Sequence, residues 1–349
     1  MATTARDELP DELPGAVVVQ SQRLGGRDVA AVLDLVRRAS DTDGVAPLSE
    51  HVLLHLRSGG QEPGRHLILR GTSEGEPPGP ALGYAHLDPT DQVDGASAEL
   101  VVHPDHRRRG HGRRLVEALV GMAAECADGR LRLWAHGEAA DAGALAQTMG
   151  FDRVRELWQM RRSLYAALPR VEVPDDVVVR TFRPGDEEAV LALNAAAFAA
   201  HPEQGRWTRA DLDARLAEDW FDPGGLFLAE RAQAGDQGGG ELLAFHWTKV
   251  HGAGGERSDH THADGSTHAE GSGHGHEPIG EVYVVGVSPA AQGRGLGRLM
   301  TLVGLRHLRD RGLTQAMLYV DADNTAAVRT YTGMGFSRWD VDVQFGRQV

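Results

Sequence analysis

The chain is short of several features that proteins commonly use, and each shortage excludes something. There is a single cysteine, Cys126, so an intramolecular disulfide is excluded and a reducing cytoplasm is the expected setting. Acidic residues outnumber basic ones by 50 to 36, and the formal net charge of -14 argues against general affinity for nucleic acid or anionic membranes. No run of about eighteen apolar residues occurs. We therefore expect a soluble cytoplasmic protein without nucleic-acid or membrane partners.

Lysine is scarcer still. Among the 36 basic residues only Lys249 is a lysine, and the others are arginines. A genome-wide codon bias explains the arginines but not the exception. A retained lysine fits a site that needs a compact ammonium group and not a planar guanidinium, while chance retention of one lysine is the alternative.

A segment rich in glycine and arginine occurs twice. The copies are Arg107–Gly112, which reads RRRGHG, and Gln292–Gly297, which reads QGRGLG. They lie 185 positions apart, the difference between 292 and 107, and the same offset carries Met149–Phe151 onto Met334–Phe336. One domain has therefore been duplicated. Chemical groups present in only one copy become candidates for function.

The predicted elements follow the same order in both copies, with apolar strand-like runs before stretches of helical spacing. This order predicts α/β units in which helices cover a sheet. We predict domains over 16–165 and 177–349, joined by a proline-containing linker at 166–176. An acidic tail over 1–15 and a histidine-rich insertion over 251–278 are expected to be disordered or flexible. The irregular histidine spacing and the lack of cysteine in that insertion argue against a metal site, and we expect no metal.

The repeated glycine turn has a physical meaning of its own. Glycine lets the backbone approach a ligand closely, and the first N–H groups of the following helix have no partner within the helix. Together with the helix dipole they favour a phosphate or pyrophosphate. Glycines also connect strands to helices for purely structural reasons, so the turn alone is weak evidence. Its spacing does not fit a Walker A loop or a dinucleotide fingerprint.

Further motifs give the turn a family context. In the second copy it is followed by Asn324-x-x-Ala327 and by Tyr331 shortly before Gly335-Phe336, and this pattern resembles the GNAT acyl-CoA N-acetyltransferases. The resemblance implies two tandem GNAT domains of the α/β class, each a mixed, mostly antiparallel sheet flanked by helices, with acetyl-CoA as donor. Five segments resemble those tandem GNAT enzymes that acetylate the cysteinyl amine of Cys-GlcN-Ins, the last step of mycothiol biosynthesis: Asp43–Pro47, Trp134–Gly137, His201–Gly205, Phe245–His251 and Glu281–Val287.

The resemblance also implies which residues contact acetyl-CoA. The strand end would pair with pantetheine, the glycine turn would hold the pyrophosphate, and the helix after Asn324 would line the rest of the channel. In the first copy these residues are Leu100, Val101, Val102, Arg108, Arg109, Gly110, His111, Gly112 and Arg113. In the second copy they are Val285, Gly286, Val287, Gln292, Gly293, Arg294, Gly295, Leu296, Gly297, Arg298, Asn324, Thr325, Ala326, Ala327, Val328 and Arg329.

The two copies differ where titratable groups would be needed. The offset places four polar residues of the second copy on alanines of the first: Glu281 on Ala96, Asn324 on Ala139, Arg329 on Ala144 and Tyr331 on Ala146. An alanine cannot move a proton, so we expect the C-terminal copy to be catalytic and the N-terminal copy to be catalytically degenerate. Whether the N-terminal copy binds acetyl-CoA or serves only as a scaffold stays open.

The implied reaction is attack of an amine on a thioester. An α-ammonium has a reference pKa of about 8, so it must lose a proton first, and Glu281 is the candidate general base. Tyr331 is the candidate acid that protonates the departing thiolate. The resemblance implies substrate contacts at Glu50, Glu203, Lys249, Glu281 and Tyr319. The alternative interpretations are purely structural. Glu281 would be a solvated acid at the start of a strand, and Tyr331 would be an aromatic residue of the core.

Three functions remain open from the sequence. The first is acetylation of Cys-GlcN-Ins by a monomer that uses only small-molecule substrates. The second is acetylation of another amine, such as an aminoglycoside or a protein N-terminus. The third is a noncatalytic acyl-CoA sensor.

Overall fold

The computed structural model describes residues 16–58, 64–71, 79–91, 94–126, 129–137, 139–170, 172–199, 204–232, 240–252 and 277–349. The chain forms two compact units, one made of the residues up to Arg155 together with Asp342–Val349, the other of Glu156–Val341. The predicted acidic tail and nearly all of the predicted histidine-rich insertion lie outside the described residues. None of the described helices is long and apolar enough to cross a membrane.

The first copy of the repeat contributes six strands and four helices to the described chain. They are β1 (Ala16–Ser21), α1 (Gly26–Asp43), α2 (Glu50–Ser58), β2 (Arg65–Gly71), β3 (Ala81–Asp88), β4 (Ala96–Val102), α3 (His111–Ala123), β5 (Arg130–Ala135), α4 (Ala140–Thr148) and β6 (Asp152–Ser163).

The second copy repeats this plan. Its elements are β7 (Val177–Thr181), α5 (Glu187–Ala197), α6 (Arg209–Leu216), β8 (Leu226–Arg231), β9 (Leu242–His251), β10 (Ile279–Val287), α7 (Leu296–Asp310), β11 (Gln315–Asp321), α8 (Thr325–Thr332) and β12 (Ser337–Gln348). A short 3-10 turn precedes each repeated glycine segment, at Pro104–His106 and at Pro289–Ala291.

The last strand of each copy joins the sheet of the other unit. The C-terminal half of β6 pairs with β11, and that of β12 pairs with β5. The strand orders are therefore β1-β2-β3-β4-β5-β12 in the first unit and β6-β11-β10-β9-β8-β7 in the second. The predicted domain boundaries at 165 and 177 follow the repeat along the chain. The compact units instead divide within β6 and within β12, after Arg155 and after Val341.

The sheets match the predicted fold class. Among the described pairings within each unit, β4 with β5 and β10 with β11 are parallel, and the others are antiparallel. Helix α7 packs on β9 and β10, and α3 packs on β3 and β4. The prediction of a mixed, mostly antiparallel sheet flanked by helices is confirmed.

The core of the second unit lies on both faces of its sheet. On one face Leu302, Leu305 and Leu308 recur at helical spacing along α7 and are buried with Leu318 of β11. On the other face α5 and α6 cover an aromatic cluster around Trp247. Full burial of one such leucine contributes about 1.5–3 kcal/mol to folding. Strand alternation therefore gives the sheet one core beneath α7 and another beneath α5 and α6.

Candidate active site

Strands β10 and β11 are parallel neighbours that separate soon after they begin. Their described ladder contains two residue pairs, Gly280 with Ala316 and Glu281 with Met317. Yet β10 continues to Val287 and β11 continues to Asp321. Beyond Glu281 the backbone of β10 therefore has no ladder partner from β11. Backbone groups in such a position need other partners, and an extended ligand can supply them.

A β-bulge lies at the same point. The pairing of β10 with β9 shifts between Val282 and Val284, so Tyr283 is the extra residue. The equivalent ladder between β3 and β4 runs from Gly83 with Val102 to Asp88 with Ser97 and has no shift. Bulges redirect side chains and are common beside active sites. Only the second unit has one here.

Glu281 is buried, although it carries a carboxylate. Its Oε2 lies 2.6 Å from Nε2 of His251, within hydrogen-bond distance. Lys249 is directly opposite Glu281 in the register, and His251 is two residues further along the same strand. Because alternate residues of a strand share a face, these three side chains lie on one side of the sheet. A carboxylate with a histidine partner can accept a proton and pass it on.

Aromatic rings surround the lysine. The Lys249 ammonium lies 4.5 Å from the centroid of the Trp220 ring and 5.3 Å from that of Tyr283. The Tyr283 hydroxyl accepts a hydrogen bond from Nε of Arg215 at 2.9 Å. Cation–π contacts hold a compact ammonium well, and an apolar wall strengthens nearby charge interactions. These contacts account for a cation at this position, and the preference for lysine over arginine stays a prediction.

Tyr331 lies in a different environment. It packs with the core cluster that contains Leu318 and Met334, and its ring meets Phe336 edge-on with centroids 5.9 Å apart. Burial raises the pKa of Tyr331 to about 12, so the phenol is protonated at neutral pH. Leu318 points away from the face that Met317 shares with Glu281. Glu281 and Tyr331 therefore belong to opposite faces of the sheet, beside the opening between β10 and β11.

The repeated turn needs glycine for its backbone. Gly293 and Gly295 both have φ of 77°, a left-handed conformation, immediately before α7 begins at Leu296. At the position of Gly293 the first copy has Arg108, with φ of 62°. This is the one described non-glycine residue with positive φ, a strained conformation for a long side chain. The first copy thus keeps the backbone conformation of the turn, although arginine adopts a positive φ less readily than glycine does.

One arginine in each of the two turns already has an aspartate partner. In the second copy Arg294 contacts both carboxylate oxygens of Asp176 at 2.7 Å through Nη2. In the first copy the exposed side chain of Arg108 contacts Asp141 at 3.0 Å. A phosphate at either turn would compete with an aspartate for its arginine. The backbone N–H groups of the turn do not face this competition.

Two residues predicted to contact acetyl-CoA have clear structural roles. A Cβ added at Gly286 would lie 2.3 Å from the Phe245 ring, so this glycine allows close packing. The Asn324 side chain accepts from the Ala327 N–H at 3.1 Å and caps α8. Neither role excludes a ligand contact, but each is sufficient to explain the residue.

The other predicted substrate residues belong to different elements of the chain. Tyr319 is 40 % exposed, and its hydroxyl accepts from Nε2 of Gln159 at 2.8 Å. Glu50 is the first residue of α2 in the first unit. Glu203 lies outside the described residues. Within the described part of the chain no group of three or more His, Cys, Asp or Glu could hold a metal ion.

Sequence reasoning missed His251 as the partner of Glu281. The sequence places it at the start of a histidine-rich stretch, where it resembles its neighbours. The available signal was its position two residues after Lys249 on an apolar strand, which puts both side chains on one face.

The parallel strands that separate beside a glycine turn, present in both halves, define a tandem GNAT acetyltransferase. The model described as "Acetyltransferase (GNAT) family" matches residues 192–336, and that described as "Acetyltransferase (GNAT) domain" matches 67–153. The mycothiol acetyltransferase of Streptosporangium roseum is 53% identical over 354 residues, covering 93% of this chain and 97% of the relative. That of Acidothermus cellulolyticus is 54% identical over 337 residues, covering 96% of each. The chain belongs to the mycothiol acetyltransferase family.

A solved structure supports the tandem architecture. A tandem GNAT protein from the clavulanic acid biosynthesis pathway, determined without AcCoA, superposes with a TM-score of 0.63. It is 18% identical and covers 95% of this chain and 98% of its own, so it shows the shared fold alone. The sequence-based resemblance to the tandem GNAT enzymes of mycothiol biosynthesis is confirmed.

Proposed function

We propose that this chain transfers the acetyl group of acetyl-CoA to the cysteinyl amine of Cys-GlcN-Ins, as a mycothiol synthase. Family membership supports the reaction, and one structural observation carries its location. The buried carboxylate of Glu281 lies where β10 and β11 separate and where β10 bulges, while the first copy has Ala96 there and no bulge. The proposal includes a cytoplasmic monomer that uses only these small molecules and no metal.

Deprotonation of the acceptor comes first. The amine, with a reference pKa of about 8, gives its proton to the Glu281 carboxylate directly or through a water. His251 has a 37% exposed side chain on the other side of this carboxylate and offers a route by which the proton reaches solvent. The amine nitrogen then attacks the thioester carbonyl carbon, so that an N–C bond forms, the carbonyl oxygen becomes an oxyanion, and the nitrogen gives up its second proton to water.

Collapse of the tetrahedral intermediate breaks the C–S bond. We assign stabilisation of the oxyanion to backbone N–H groups of Val285–Val287. Tyr331 donates a hydrogen bond to the sulfur, passes its proton as the thiolate leaves, and regains a proton from water to complete the turnover. A free thiol has a pKa of about 8.5, below that of Tyr331, so the transfer requires the burial that also raises the pKa of the thiol.

The donor would lie along the second glycine turn. Gln292–Arg298 would hold the pyrophosphate through backbone N–H groups, Arg294 would exchange Asp176 for phosphate, and Thr325–Arg329 would line the channel. The first copy has a turn of the same shape but neither Glu281 nor Tyr331, and we assign it no chemistry.

Tyr331→Phe is expected to reduce kcat by about ten- to hundredfold, since the phenol acts on the leaving group and not on donor binding. The Kd of acetyl-CoA should change less than threefold. Steady-state release of free CoA thiol and calorimetric titration measure the two quantities. Tyr165→Phe, a change at an exposed tyrosine, is the matched control. An unchanged kcat in the Tyr331 variant would remove this residue from the mechanism.

The acceptor is tested by turnover with three amines. Release of CoA thiol is followed with Cys-GlcN-Ins, an aminoglycoside and a peptide N-terminus at equal concentration. We expect kcat/KM for Cys-GlcN-Ins to exceed the others by at least about a hundredfold. Preference for another amine would identify a different GNAT substrate. Acetyl-CoA binding without turnover of any amine would indicate a sensor.

A further inference from the structure

A row of residues that are paired on neighbouring strands crosses four strands of the second unit. Lys249 of β9 pairs with Glu281 of β10, Glu281 pairs with Met317 of β11, and Met317 pairs with Arg161 of β6. Paired residues on neighbouring strands point to the same face. Strands lie about 4.8 Å apart, so Arg161 is about 10 Å from Glu281 on the same face as the candidate base.

A second row of paired residues lies next to the first on the same face of the sheet. Tyr319 pairs with Gln159, which donates to its hydroxyl and accepts from Nε of Arg161 at 2.8 Å. The Arg161 guanidinium lies 4.5 Å from the centroid of the Trp339 ring. Trp339 is 65% exposed, which is unusual for an indole. No described residue accepts from the terminal amino groups of Arg161.

The first unit provides an internal comparison. At the register position of Arg161 it has Gly346 of β12, which pairs with Arg132 as Arg161 pairs with Met317. At the position of Trp339 it has Val154. The arginine and the exposed tryptophan thus occur only in the unit that also carries Glu281.

We propose that Gln159, Arg161 and Trp339 form the subsite for the polyhydroxylated part of the acceptor, two linked six-membered rings rich in hydroxyl groups. The inference rests on the proposed function, because it places the far end of the substrate whose amine meets Glu281. Guanidinium and amide groups bond ring hydroxyls as donors and acceptors, and an exposed indole packs against the C–H face of a ring. The distance of about 10 Å from Glu281 suits an acceptor with its amine at one end and its rings at the other.

The origin of these residues is informative. Gln159 and Arg161 belong to β6, the strand that the first copy contributes to the second unit. The exchanged strand therefore supplies recognition groups as well as backbone pairing.

The test separates ring recognition from chemistry. Steady-state kinetics at saturating acetyl-CoA give kcat and KM for Cys-GlcN-Ins, and the ring portion without cysteine, GlcN-Ins, is added as a competitive inhibitor. We expect Arg161→Ala and Trp339→Ala each to raise KM for Cys-GlcN-Ins and Ki for GlcN-Ins by about tenfold, with kcat changed less than threefold. Arg161→Lys should recover part of the loss.

Arg338→Ala is the matched control. Arg338 is an exposed arginine that also lies over a tryptophan, Trp158, but it is adjacent in sequence to Trp339 and so faces the other side of the strand. The Arg338→Ala variant should have the wild-type KM for Cys-GlcN-Ins and the wild-type Ki for GlcN-Ins. Unchanged KM and Ki in the Arg161 and Trp339 variants, or an equal fall in kcat, would overturn the subsite while leaving the proposed function standing. If the wild-type chain does not acetylate Cys-GlcN-Ins, the proposed function itself fails.

Discussion

Replacement of Glu281 by glutamine is expected to lower kcat by about a thousandfold, within the range that general acid–base groups contribute. Glutamine keeps the size of the side chain and can still bond His251, but it cannot accept a proton from the amine. The buried position of Glu281 makes replacement of its function by bulk water difficult. The Kd of acetyl-CoA, measured by calorimetry, should stay within threefold of wild type because the carboxylate does not contact the donor in the proposed mechanism.

The control for this variant is Glu277→Gln. Glu277 is exposed and lies just before β10, so it shares the chemistry of Glu281 but not its position. Its kcat should equal that of wild type. A near-normal kcat in Glu281→Gln would assign the proton transfer to another group. A parallel loss of acetyl-CoA affinity would point to a structural role.

Asp342→Asn is expected to lower the free energy of unfolding of the first unit by about 3–5 kcal/mol, the usual cost of breaking a buried ion pair. Asp342 accepts from Nδ1 of His136 at 3.0 Å and from the Gly137 N–H at 2.8 Å. On its other side the His136 ring lies 3.5 Å from Glu99. Without Asp342, the imidazolium would keep a single buried counter-charge. Denaturant unfolding followed by intrinsic fluorescence measures the change.

The same cluster predicts a dependence on pH. Burial alone would lower the pKa of His136, but hydrogen bonds and charges from Asp342 and Glu99 outweigh it and raise the pKa to about 10. Because this folded-state pKa exceeds the unfolded value of about 6.5, the stabilisation is complete below that pH and is lost as pH rises towards 10. The difference between wild type and Asp342→Asn should therefore be large at pH 6 and smaller at pH 10.

Asp152→Asn, at the exposed start of β6, serves as the matched control and should stay within about 0.5 kcal/mol of wild type. Equal stability of Asp342→Asn and wild type at pH 6 would mean that His136 is neutral in the folded protein.

Much of the fold and of the candidate site could be predicted because it depends on short sequence motifs and on the repeat. The fixed offset between the copies revealed the duplication, and Ala96 at the position of Glu281 is the basis for the prediction that the second copy is catalytic. The exchange of β6 and β12 could not be predicted. These strands occupy equivalent positions in the repeat, so the sequence does not state which sheet each one joins.

Two residues of the proposed site could not be identified from the sequence, for related reasons. His251 shares its type with the stretch that follows it, and Arg161 is one of many arginines in the chain. Each becomes informative only through its neighbour on the next strand, Glu281 for His251 and Met317 for Arg161. Pairing between distant strands depends on tertiary structure, which local periodicity does not encode.

The exchanged strands affect the order in which the two units can fold during synthesis. The sheet of the first unit is completed by residues 343–348, which are synthesised after every strand of the second unit that precedes β12. Until then β5 lacks its antiparallel neighbour and His136 lacks Asp342, even though residues 16–135 have long been available. Domains at the start of a chain generally fold during synthesis. Here the sheet of the first unit cannot be completed until β12 has been synthesised, and a chain that is terminated before β12 leaves an open sheet edge at β5.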